Sequence, residues 1–318
     1  MALRNALRGV AVQPSTHAGL WLDRYLDDLD APGAKQIHLS TLPRIQVPAD
    51  YLTFFNRWKK ALEDLPDTLL AKAVVRGRMV VGLGAESILE TSLSLHRTYG
   101  LPYIPGSGLK GLAAAAAHRR LADPGWRKAT GGNPIGPSHR LLFGEQELSG
   151  CVTFHDALWW PEAAKDLPLD LDVMTVHHGD YYLGKNVPPA DWDNPNPVAF
   201  ASAHGAYLIA LTGPGDWVKA AYEILKDALD QDGAGAKTAA GYGRMDVTPL
   251  ASSSLVDWEP RVKLISINNA AQEVPKLLND LRGEARRLAA QAVAKKFADF
   301  LKKRGDQPWV QELRRAAE

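Results

Sequence analysis

Residues 103–111, Tyr-Ile-Pro-Gly-Ser-Gly-Leu-Lys-Gly, run straight into five alanines at 113–117, and no other stretch constrains the fold as tightly. Two glycines and a serine stand where a loop becomes a helix, and Lys110 falls in the first turn. Free backbone N–H groups, the positive end of the helix dipole and a cation then meet at one spot suited to a phosphate. The competing reading is a glycine turn and a capped helix with no ligand at all. The spacing Gly106-x-Gly108-x-x-Gly111 also matches a dinucleotide fingerprint. That reading fails, because Pro105 cannot donate to a central strand and no acidic ribose ligand follows a strand at the required distance.

A chain of 318 residues with 46% hydrophobic and 23% charged residues has ample core for one large decorated domain or two ordinary ones. No apolar run approaches the roughly 20 residues of a membrane span, so no membrane partner is expected. Cys151 is the only cysteine, which rules out an intrachain disulfide and a cysteine-rich metal site. A cytoplasmic location follows from that cysteine usage. The net charge of +1 supplies no global field towards nucleic acid. Any RNA contact must come from local groups or be shared with other subunits.

Along the chain, residues 17–30 read as a short helix with Leu22, Tyr25, Leu26 and Leu29 on one side. A linker through Pro32, Pro43 and Pro48 follows, then a helix from Asp50 to about Asp64. A strand is expected over 73–83, broken by Gly77, and the alanine helix over about 105–122. Residues 124–139 read as a surface loop, and 150–160 as a strand with Val152, Phe154 and Ala157 inward. The six prolines from Pro161 to Pro197 mark a long extended excursion. A buried strand at 205–212 leads to an amphipathic helix capped by Asp216 and carrying Trp217, Ala221, Leu225 and Leu229. A second glycine-rich loop (233–243) then enters a strand near 244–247. The tail from 272 to 304 reads as one long amphipathic helix through Val274, Leu278, Leu281, Ala285, Leu288 and Ala292, with a shorter helix after Pro308. These units predict an α+β, ferredoxin-like sheet with helices on one face.

The second loop contains Gly235-Ala-Lys237-Thr238, but a P-loop needs glycine directly before the lysine and a strand before the loop. Neither condition holds. Gly233, Gly235, Lys237, Thr238, Tyr242 and Arg244 still provide backbone donors, cations and a stacking ring, the parts of a sequence-independent RNA site. His177, His178 and Asp180 lack a third ligand at useful spacing, so loop or partner contacts are expected there, with no metal. His155 reads as a half-buried strand histidine. A nucleophile elbow is missing, because Pro105-Gly-Ser-Gly-Leu lacks the glycine two before the serine.

These segments resemble a known family. Residues 100–112 resemble the helix-opening motif of the RAMP superfamily, the RNA-binding subunits of CRISPR effector complexes, and 233–243 resembles its glycine-rich loop. Residues 18–26, 81–91, 142–144, 172–175 and 191–198 narrow the resemblance to subunit six of the Cmr (type III-B) complex. The matches run in order from 18 to 243; the tail beyond 260 carries none.

The resemblance implies an α+β, RRM-like RAMP domain at 71–260 with an insertion at about 161–200. A helical N-terminal extension at 1–70 and a C-terminal helical extension at 261–318 would flank it. It implies a non-catalytic structural subunit that needs no cofactor and contacts guide RNA (crRNA) near its 3′ end. Target RNA and neighbouring RAMP backbone subunits of the Cmr complex would be its partners in antiviral defence. Gly106, Ser107, Gly108, Lys110, Gly233, Gly235, Lys237, Thr238, Tyr242 and Arg244 are the expected RNA-binding residues. The aromatic pattern of ordinary RRM proteins is not recognisable, which argues against binding through a bare sheet face. The rival is a RAMP endoribonuclease that uses His96 or His118 as acid–base, or a loop aspartate such as Asp180 or Asp191.

Overall fold

The computed structural model describes residues 9–26, 31–162, 167–176, 178–190, 192–193, 196–250, 258–281, 283–303 and 307–317. Helices and sheet are mixed, as expected. Helices α1 (Ala18–Arg24), α2 (Ala34–Leu39) and α3 (Tyr51–Glu63) precede strand β1 (Thr68–Val75). Then come β2 (Tyr103–Ile104), α4 (Gly106–Arg120), α5 (Pro137–Phe143), and the short strands β3 (Gly144–Glu145), β4 (Leu148–Ser149) and β5 (Thr153–Phe154). After β6 (Ala157–Trp160) follow β7 (Leu169–Val176), α6 (Gly179–Tyr182), β8 (Asn196–Ala203), β9 (Ala206–Thr212), α7 (Gly215–Gln231) and β10 (Met245–Pro249). The tail holds α8 (Glu259–Leu264), α9 (Ala270–Asp280), α10 (Gly283–Lys296), α11 (Ala298–Lys303) and α12 (Pro308–Ala317).

The main sheet runs β10-β1-β9-β6-β2, with β5 also paired to β9, and all its pairings are antiparallel. In β1 the side chains of Leu69, Ala71, Ala73 and Val75 alternate onto one buried face. Against that face lies α7, whose buried stripe is Val218, Ala221, Tyr222, Leu225, Ala228 and Leu229. Each such leucine removed from water contributes roughly 1.5–3 kcal/mol. Beside α7 packs α4, where Ala113, Ala114, Ala116 and Ala117 are buried and small enough for close helix approach. The expectation of helices on one face only is overturned. On the opposite face α3 covers the sheet: Phe55 meets the Trp160 ring at 5.2 Å, and the Tyr51 hydroxyl donates to the Trp159 carbonyl at 2.7 Å. Amphipathicity marks a helix as covering something, but it does not say which face.

The strand expected over 73–83 instead spans Thr68–Val75. The chain leaves the sheet at Gly77 (φ +81°), and Met79 then pairs with Ala203. The linker around Pro43 contains α2, and the loop expected at 124–139 contains a 3-10 turn at Pro124–Trp126 and the start of α5. The excursion at 161–197 is largely a hairpin, with β7 and β8 paired from Leu169↔Ala203 to Val176↔Asn196. Pro214 holds the N-cap position of α7, and Asp216 sits in the first turn. The single tail helix is broken, and Leu288 is 40% exposed. Buried apolar residues fall in two clusters, one between Ala18 and Met245 and a second between Val262 and Leu313. Leu29, His177 and Asp191 lie outside the described residues.

Candidate RNA-binding surface

The second glycine loop is stitched to the segment that follows β1. Ala234 N–H donates to the Gly243 carbonyl at 2.9 Å, Gly243 N–H to Arg78 at 2.8 Å, and Ala236 N–H to Val80 at 2.8 Å. Gly233 N–H closes α7 by donating to Ala228 at 3.0 Å. Gly235 sits at φ +91°, and a Cβ there would overlap the Val80 carbonyl. Only glycine therefore fits this crossing. Lys237 itself takes φ +58°, a conformation that a non-glycine residue adopts only at a cost of about 1–2 kcal/mol.

That backbone presents a compact polar cluster. The Lys237 ammonium lies 5.6 Å from the Phe200 ring centroid, a cation–π contact with the hairpin. The Tyr242 hydroxyl donates to Asp172 Oδ2 at 2.5 Å, and its ring lies 6.0 Å from Phe200. Burial, helped by that carboxylate, pushes the Tyr242 phenol up to about 12. Arg78 pairs with Asp170 at 2.5 Å. Thr238 opens a 3-10 turn and is half-buried, whereas Arg244 is exposed. Sequence reasoning missed Arg78, Asp170, Asp172 and Phe200. The alternation Leu169-Asp-Leu-Asp-Val173 is the strand signal that would have found the two aspartates.

The first glycine turn is built differently. Gly108 and Leu109 N–H groups both donate to the Pro105 carbonyl, at 2.8 and 3.1 Å. Gly106 N–H donates to Asp156 Oδ1 at 2.7 Å, so a carboxylate of the same chain occupies the positive end of α4. Gly106 is buried against the Phe154 carbonyl, where a Cβ would overlap backbone. Ser107 and Gly108 are exposed, and Lys110 is half-buried with no ion-pair partner among the described residues.

The two loops are not neighbours. Because β2 carries the chain along the outer sheet edge, α4 starts beside Phe154 and Asp156. It ends where Arg119 pairs with Asp232 at 2.8 Å and Arg120 with Asp227 at 2.5 Å, at the mouth of the second loop. The two sites lie about 20 Å apart, the length of a 15-residue helix.

The residues of the nuclease rival are also dispersed. His96 sits near Asp156, among Phe54 (5.5 Å), Tyr99 (5.2 Å) and Tyr103 (6.4 Å). Burial there lowers its pKa against the pull of Asp156. His118 lies near the far end of α4 and accepts from Lys128 N–H at 3.0 Å. Asp180 pairs with Lys185 at 2.8 Å, and His178 with Asp193 at 2.8 Å. His155 is half-buried and bonds Thr212 at 3.0 Å. Among the described residues, no group of three His, Cys, Asp or Glu is placed to hold a metal, and no helix is long and apolar enough to cross a membrane.

An antiparallel sheet with packed helices and two glycine-rich turns, one stitched beneath a cation, defines the class. The chain belongs to the RAMP superfamily, whose family model matches residues 72–246. The similarity narrows further to the CRISPR system Cmr subunit Cmr6 of Pyrococcus furiosus. Identity is 33% over 248 residues, covering 60% of this chain and 73% of that one. A crystal structure of the same Pyrococcus furiosus Cmr6 is 31% identical, covers 56% of this chain and 97% of its own, and has a TM-score of 0.36. A cryo-EM structure of the type III-B Cmr-beta bound to cognate target RNA includes a chain 22% identical to this one. It covers 63% of this chain, the chain covers 65% of it, and the TM-score is 0.48.

Proposed function

We propose that this chain is a non-catalytic, RNA-binding structural subunit of a type III-B CRISPR RNA-guided effector complex in the cytoplasm. It contacts the guide RNA backbone near the 3′ end and helps assemble the complex that cleaves target RNA. The observation that carries this reading is the stitched loop at 233–243, which holds Lys237, Thr238, Tyr242 and Arg244 in fixed relation in a chain similar to Cmr6. Lys237 and Arg244 serve phosphates without reading sequence, and Tyr242 offers a stacking ring. Gly233 and Gly235 allow the close backbone crossing that shapes the loop. Ser107, Gly108 and Lys110 form a second contact at the start of α4, and Gly106 seats the turn that carries them. Strands β1, β6, β9 and β10 make an RRM-like core at 71–260, flanked by the extensions at 1–70 and 261–318. The hairpin inserted at 161–200 exposes Tyr182 and Trp192 at its tip, where it touches a neighbouring RAMP subunit or the guide–target duplex.

The test is guide-RNA binding by the purified chain, alone and with its partner subunits. Lys237→Ala is expected to weaken binding to unrelated RNA sequences alike, and to lower the salt slope by about 0.7 for the one phosphate lost. RNA cleavage by the chain alone, abolished by His96→Ala or His118→Ala, would replace this reading with the nuclease. A strongly sequence-selective effect of Lys237→Ala would contradict backbone recognition.

A further inference from the structure

The chain's charge of +1 conceals two opposed parts. Residues 258–318 carry 13 Lys and Arg against 8 Asp and Glu, a net of +5. The first 257 residues carry 24 basic and 28 acidic residues, a net of −4. The charge division coincides with a packing division, because α8–α12 bury their apolar faces in a cluster of their own. The family match ends at 246, so the basic part lies outside it.

Among the described residues of this unit, eight basic side chains are exposed and Asp299 is the only exposed acid. Glu273, Asp280 and Glu312 are half-buried and already paired, with Lys276, Arg261 and Arg286. Six of the exposed cations, Arg287, Lys295, Lys296, Lys302, Arg314 and Arg315, lie on α10–α12. Arg287 and Lys295 stand eight residues apart on one helix face, about 12 Å. Lys302 reaches Asp299 only at 3.8 Å, an exposed pair that solvent screens. The apolar side of α12 (Trp309, Val310, Leu313) is consumed inside the unit, so that helix does not present it to a lipid surface.

We infer that the C-terminal helical unit is a second polyanion-binding surface, and that its ligand is the sugar–phosphate backbone of single-stranded RNA. The cations are spread over three helices, which fits a repeating chain of phosphates and no single small anion. The surface does not depend on the loop at 233–243, and it holds whether or not that loop touches RNA.

The experiment uses the full chain and two fluorescently labelled single-stranded RNAs of unrelated sequence, with dissociation constants measured across a salt series. The quadruple variant Arg287→Gln, Lys295→Gln, Arg314→Gln and Arg315→Gln is expected to bind both at least tenfold more weakly. Its log–log salt slope should be smaller by about 2–3, at about 0.7 per phosphate lost. The charge-preserving variant Arg287→Lys, Arg314→Lys and Arg315→Lys should bind as the parent does, which separates lost charge from lost fold. Unchanged affinity and slope in the Gln variant, with Lys237→Ala still impaired, would overturn the inference while leaving the loop reading intact. Loss of a protein partner with RNA binding retained would also overturn it, and would mark the surface as an acidic-protein contact.

Discussion

The two glycine-rich turns look alike in sequence and do opposite things in the fold. At the first, Gly106 lets helix α4 enter against the backbone of Phe154, and the chain's own Asp156 takes the amide that an external anion would have used. At the second, the glycines let the loop cross the Val80 carbonyl, and the Ala234, Ala236 and Gly243 N–H donors are spent on that crossing. What remains available at the second turn is side chain: Lys237 over Phe200, Tyr242 on Asp172, and Arg244 in solvent. The glycine turn at the start of α4 is thus a packing device before it is a phosphate cradle. The difference lies in whether a carboxylate already sits at the dipole.

The sharpest way to break this contrast is Gly106→Val. A branched side chain there meets three backbone atoms of Phe154 and His155 that cannot swing away. The expected loss is about 3 kcal/mol of stability, read as a lower midpoint in urea. RNA affinity per folded molecule should fall by less than it does for Lys237→Ala, because Asp156 already holds the Gly106 amide. Equal stability with strongly weakened RNA binding would make the first turn a phosphate cradle and not a packing device. Gly235→Ala tests the second turn. At φ +91° and against Val80, an alanine should cost about 1–3 kcal/mol and misplace Lys237, so stability and RNA binding fall together. A stable variant with parental RNA affinity would show that the crossing does not position the cation.

Much of the scaffold was legible. The alanine helix, the strand before α7, the apolar stripe of α7 and the loop at 233–243 follow from periodicity and glycine placement. The long excursion was misread because its prolines cluster at the two ends and in the connecting loop. The Leu-Asp alternation between them is a plain strand pattern. Asp156 as the anion at α4 could not be read, since its partner Gly106 is 50 residues away. Nor could the separation of the two loops, which depends on a two-residue edge strand reversing the chain before α4. Pairing over such distances is decided by the sheet as a whole, and local propensity carries little of it.

The smallest expected effect concerns pH at the first turn. Burial among Phe54, Tyr99 and Tyr103 lowers the His96 pKa from 6.5, and Asp156 offsets that only in part. His17, the other charged neighbour, lowers it further. The unfolded chain therefore takes up a proton at higher pH than the folded one. The His96 contribution is complete above pH 6.5 and is lost as pH falls below it. No histidine lies between 205 and 318, so the loop at 233–243 has no such group of its own. Hydrogen exchange on acidification through that window should rise first around 96–110, while protection at 233–243 persists. His96→Phe, which keeps a ring against Tyr99, should flatten the acid limb at the first turn by a modest margin. If both loops lose protection together, or His96→Phe leaves the limb unchanged, the two ends of α4 are energetically one unit. Their different uses of glycine would then not make them separate sites.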